Sequence, residues 1–189
     1  MIKKQDAWSA AFYDCAEHDP THSYVALSYM VFKREIVRQW NDLCEAGLKF
    51  IPNIDDPYSN SAQMFEDVQI NGTLRVFADN GATLPDDHPL KEEIPFRIKG
   101  FEVYNDLFRA VHDVMGHVAS GGQFGPIGEE QAWRAHCKTL SRIAHNALWC
   151  DTRGQNAWTN FSNHHADMPI SERPFPEQKA TLVPQFLLS

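Results

Sequence analysis

A mainly α fold is predicted, a single helical domain over residues 1–189 with a small β-hairpin insertion. Three observations predict it. Apolar residues recur at spacings of three and four through residues 20–46, 101–118 and 129–150. Asn71-Gly72 lies between two alternating runs, a strong short-range hairpin signal. The hydrophobic fraction of 43% over 189 residues is enough to build one core.

In chain order, residues 5–17 read as weakly helical, with Trp8, Ala11, Phe12 and Cys15 on one side. Asp19-Pro20 reads as an N-cap followed by proline at the first helical position. The next helix carries Tyr24, Ser28, Tyr29, Phe32, Ile36, Trp40 and Leu43 on its core stripe, and Gly47 stops it. Prolines then punctuate residues 51–99, where a hairpin is expected near 64–78. Residues 78–91 read as loop, with Asp86, Asp87 and His88 at its tip, by default a solvated turn and otherwise a lid or a contribution to the site. Helix returns over 101–118, followed by a glycine-rich stretch at 119–128 that cannot be helical. A long helix is expected over 129–150, and an irregular tail over 165–189.

The net charge of −8 argues against an electrostatic grip on duplex nucleic acid. Cys15, Cys44, Cys137 and Cys150 form no CxxC pair, so free and mostly buried thiols are expected. Met1 to Asp6 has no apolar core of a signal peptide, and no run approaches the ~18 apolar residues of a membrane span. A cytoplasmic protein is the expectation.

The chemistry-bearing stretch is His112-Asp113-Val114-Met115-Gly116-His117, with Glu129-Glu130 twelve residues on. Imidazole and carboxylate together suit Zn, Fe or Mn. On a regular helix Asp113 and His117 share a face, whereas His112 and His117 are about 140° apart. The two histidines converge only if the helix loosens, and Gly116 sits where it would. Glu129, Trp133, His136, Leu140, Ile143, Ala147 and Asp151 make one continuous face of the following helix. Glu129 and Asp151 would lie about 33 Å apart on a straight helix, so both reach one site only if that helix breaks. Ordinary roles are also open to these residues. Glu129 and Glu130 suit the first turn of a helix, and Asp113 could pair with Arg109. Arg153, in Asp151-Thr152-Arg153-Gly154-Gln155-Asn156, can grip a carboxylate or phosphate with two parallel bonds.

The string His112–Val118 resembles the iron motif of pterin-dependent aromatic amino acid hydroxylases, in which two histidines five apart ligate Fe. That resemblance implies His112, His117 and Asp151 as a 2-His-1-carboxylate set. The same stretch, with Phe124-Gly125 and Gly128-Glu129, is also similar to HD-domain phosphohydrolases, and that similarity would bring in His88 as an upstream ligand.

The function expected is therefore a mononuclear metal enzyme, first a non-heme Fe(II) oxygenase or hydroxylase, with Zn or Mn as other possible ions. Its candidate ligands are His112, His117, Asp151, Asp113 and His136, and its candidate catalytic residues are Glu129, Glu130 and Arg153. Arg153 would anchor an acidic group of a small-molecule substrate. The alternatives are an HD-like phosphohydrolase acting on nucleotides and a binding protein with a structural metal.

Overall fold

The computed structural model describes residues 4–188. Met1–Lys3, on which the reading of no leader partly rests, and Ser189 of the expected tail lie outside the described residues. Helix α1 (Lys4–Cys15) precedes α2 (Ser23–Glu45). Asp19 does not cap α2. Its carboxylate instead accepts from the Thr21 hydroxyl (2.7 Å) and the His22 N–H (3.1 Å), closing the turn that contains Pro20. His22 takes over as cap, its Nδ1 accepting from Tyr24 N–H at 3.2 Å. Val25, Ser28, Tyr29, Phe32, Ile36, Gln39 and Trp40 of α2 are buried, a stripe of threes and fours. Gly47 ends the helix at φ +94°, where a Cβ would be strained.

The hairpin expected near 64–78 is not formed. Helix α3 (Ser61–Glu66) runs into a π turn (Asp67–Asn71), and only Thr73–Phe77 is strand. Gly72, at φ +63°, stops a helix rather than turning a hairpin. Strand β2 (Thr73–Phe77) pairs in parallel with β1 (Lys49–Asn53), with Lys49 opposite Thr73 and Asn53 opposite Phe77. The antiparallel pair lies later in the chain: β3 (Glu93–Ile98) and β4 (Phe101–Val103), turning at Gly100 with φ +80°. The fold class stands as mainly α with small β elements.

Helix α4 (Tyr104–His112) continues without interruption into a π-helix (Asp113–Val118). Asp106 steadies its start, accepting the backbone N–H groups of Glu102 (3.2 Å) and Val103 (3.4 Å). The long helix expected at 129–150 is broken. Helix α5 (Pro126–Cys137) begins inside the 119–128 stretch expected to be non-helical, with Pro126 at its first position, and ends in the irregular residues 138–144; α6 (His145–Asp151) and α7 (Arg153–Phe161) follow. One apolar cluster runs from Tyr13 through α2, α4, α5 and α6 to Ala180, Val183 and Leu187, so the irregular tail also packs into the core. All four thiols are free. Cys15 and Cys44 are exposed rather than buried, and Cys150 is buried. No helix among the described residues is long and apolar enough to cross a membrane.

Candidate metal centre

The π-helix resolves the conflict between His112 and His117. Its i to i+5 bonding widens the turn, so residues five apart come onto one side. The two imidazoles stand edge to face with centroids 5.4 Å apart. Gly116 permits a second approach. A Cβ there would lie 3.0 Å from the Ala132 carbonyl oxygen and 3.0 Å from His112 Cε1, so glycine lets α5 close on the π-helix. Gly128, in the first turn of α5, lies so close to the Gln123 backbone that any side chain would collide with it. These two contacts bring Glu129 to the histidines. One ligand atom from each of His112, His117 and Glu129 lies within 4.8 Å of the others. His117 Nε2 is 3.4 Å from Glu129 Oε2. Two atoms bonded to one ion at about 2.1 Å would be roughly 3.0–3.4 Å apart, so this pair already has chelating spacing.

The hydrogen bonds behind the imidazoles determine which nitrogen faces inward. Gln39 Nε2 donates to Thr139 Oγ1 at 2.9 Å, which leaves Gln39 Oε1 to accept from His136 Nε2 at 3.1 Å. His136 Nδ1 is then an acceptor, so His112 Nδ1 donates to it across 3.1 Å. The lone pair of His112 falls on Nε2, a buried atom with no hydrogen-bond partner. His117 is set by a different partner: its Nδ1 donates to the Gly122 carbonyl at 2.8 Å, leaving Nε2 toward Glu129. Partners of this kind orient imidazoles at metal sites.

Electrostatics favour a cation here. Burial holds the His112 imidazole well below its ordinary value, and the neighbouring His136 and His117 add to this. Burial also pulls His117 down, but the Glu129 hydrogen bond and charge, with Asp113 and the Gly122 carbonyl, raise it to about 9. Without metal, His117 and Glu129 share a proton that a divalent cation would displace.

The remaining sequence candidates lie outside this trio. His136 has both ring nitrogens committed and supports His112 instead of ligating. Asp113 is half-buried on the cavity wall, and burial pushes its carboxyl up to about 7. Arg109, its suggested partner, is bound to Asp79 at 2.9 Å. Asp151, expected as the carboxylate ligand, accepts from Tyr29 O–H at 2.7 Å and lies 3.4 Å from His88 Nε2. His88 is therefore buried, not part of a solvated tip, whereas Asp86 and Asp87 are exposed. Glu130 and Arg153 bind each other at 2.7 Å. Arg153 also donates to the Leu187 carbonyl and lies over the Trp133 ring, so it faces the core rather than a substrate.

A cavity of about 530 Å³ opens beside the trio. One stripe of α4, Asn105, Phe108, Arg109 and His112, lines it at spacings of three, one and three. Because the chain breaks after α5, Asp151 lines the cavity as well, along with Gln155 and Asn156 of α7. Phe108 packs 5.6 Å from the His112 ring and Phe124 packs 5.5 Å from His117. Sequence reasoning passed over Asn105 and the Gln39–Thr139 pair. Asn105 could have been found from its heptad spacing to His112.

Fold and site together define a mainly α protein with a possible His-His-Glu metal centre on the wall of a cavity. Compared with family models, with curated proteins and with solved structures, the chain matches none.

Proposed function

We propose that the protein is a mononuclear non-heme Fe(II) oxygenase or hydroxylase in which His112, His117 and Glu129 hold the ion. The observation that carries the reading is the convergence of two imidazoles of fixed tautomer and one carboxylate on a cavity of substrate size. Bound Fe(II) would supply the activation of dioxygen for oxidation of a substrate in that cavity. The chain itself orients the ligands. Gly122 and His136 fix the two rings, while Phe108 and Phe124 pack against them. Zn or Mn would fit the same donor types.

The phosphohydrolase reading draws less support. Asp113 stands outside the converging trio, and His88 faces Asp151 instead of His112.

The test is anaerobic purification followed by metal analysis and nitric oxide binding. Stoichiometric iron with a nitrosyl spectroscopic signature supports the proposal. Manganese with nucleotidase activity would replace it with the hydrolase, and tightly held zinc inert to added ligands would make the centre structural.

A further inference from the structure

We propose that the cavity takes a neutral substrate by an amide or lactam edge, recognised by Asn105 and Asp151. This rests on the reading of the cavity as the substrate site, and it replaces the acidic substrate group expected from the sequence. Asn105 is 3% exposed, and its Nδ2 has no hydrogen-bond partner. The Asp151 side chain is 1% exposed, and its Oδ1 accepts no hydrogen bond, its neighbour His88 Nε2 standing 3.4 Å away. Both line the cavity that His112, His117 and Glu129 line. A buried polar atom without a partner is costly, and two on one substrate-sized wall point to a ligand that pairs with them. An N–H beside a C=O is the complement of one amide donor and one carboxyl oxygen.

Both groups are held in place from behind. Asn105 sits in the first turn of α4, seven residues before His112 and on the same stripe. Tyr29 O–H fixes Asp151 Oδ2 at 2.7 Å. Leu90 N–H donates to His88 Nδ1 at 3.3 Å, so the His88 hydrogen is on Nε2, which lies 3.4 Å from Asp151 Oδ1 without being aligned to bond it. Burial pushes the Asp151 carboxyl up to about 7, which lets it donate to a carbonyl as well as accept from an N–H.

The charges on the wall disfavour an acid. Asp56 and Glu129 face the cavity, with Asp113 and Asp151, whose carboxyls burial pushes up to about 7; the protonated His117 is paired with Glu129, and Arg109, the one arginine among the described lining residues, is taken by Asp79 and by the Phe77 carbonyl. A carboxylate would meet like charge and no uncommitted guanidinium. Phe108 and Phe124 offer faces for a planar ring.

The experiment titrates the metal-free full chain with benzamide, nicotinamide and 2-pyridone, and with benzoate and nicotinate as carboxylate counterparts. The amides should bind about tenfold or more tightly than the acids, because the wall would leave an acid's partners unmatched. Asn105→Leu and Asp151→Ala should each abolish that preference, and Asp151→Asn should restore it. Because Asp151→Ala empties a buried position and can unfold the chain, a crystal soaked with nicotinamide gives a second readout. Failure of every amide to bind, equal binding of acids, or an amide seated away from Asn105 and Asp151 would overturn the proposal. Metal content measured in parallel separates the two readings. Loss of iron with retained amide preference sinks the oxygenase alone, and the reverse sinks the subsite alone.

Discussion

Glu129 Oε2 stands 3.4 Å from His117 Nε2, although the glycine-rich loop separates them in the chain. Glu129, rather than Asp151, is therefore the carboxylate that comes within reach of both His112 and His117. Glu129→Gln should abolish stoichiometric metal binding, and Asp151→Asn should leave metal content unchanged. Metal analysis of the two purified variants checks this, and the opposite pattern would return the ligand role to Asp151.

The relay behind His112 should matter nearly as much as the ligand. Gln39→Leu removes the acceptor that sets the His136 tautomer. Metal affinity should fall about 10–100-fold with the fold retained. Competition with a chelator measures the affinity, and circular dichroism monitors the fold.

Close packing at two glycines should be costly to disturb. Gly116→Ala places a methyl 3.0 Å from the Ala132 carbonyl and from His112 Cε1. A loss of about 1–3 kcal/mol in denaturant unfolding is expected, with weaker metal binding. Gly128→Ala should be worse, since the Gln123 backbone must move. An unaltered midpoint for both variants would show that the loop yields freely.

The buried His88–Asp151 pair has a distinctive pH signature. Burial pushes Asp151 up to about 7 and His88 down to about 3, with the His18 charge adding to the latter. Between those values the folded pair holds one titrating proton. The unfolded chain also holds one between the ordinary carboxylate and imidazole values, so the pair adds little pH dependence from about pH 4 to 6.5. In His88→Gln only Asp151 remains. Its folded-state proton then stabilises below the ordinary carboxylate value, and the gain is lost as pH rises through about 7. Stability of this variant should fall by up to about 1.4 kcal/mol per pH unit across that window, relative to wild type. Denaturant titrations at a series of pH values test the slope, and parallel curves for the two proteins would contradict it.

Much of the centre could be read from local spacing. His112 and His117, with Gly116 between them, required a loosened helix, and the chain forms a π-helix there. The Asp151 conflict on one straight helix pointed to a break, and residues 138–144 supply it. Other outcomes depended on non-local geometry. Asn71-Gly72 can stop a helix or turn a hairpin, and only the prior strand β1 decides which. Arg153 was expected to hold an acidic group of a substrate, and spacing gave no sign that its carboxylate partner is Glu130, on another helix. Glu129 stood out as a polar residue on an inward face. Its approach to His117 depends on how the 119–125 loop folds back, and spacing carries no information about that.

The π-helix between the two histidines holds a surplus residue relative to an α-turn. Removing Val114 or Met115 would leave the imidazoles four apart, a separation at which an unbroken α-helix already presents both on one side. A one-residue deletion at this point is thus the rare shortening that conserves the bite of the pair while relieving the helix of its irregular turn.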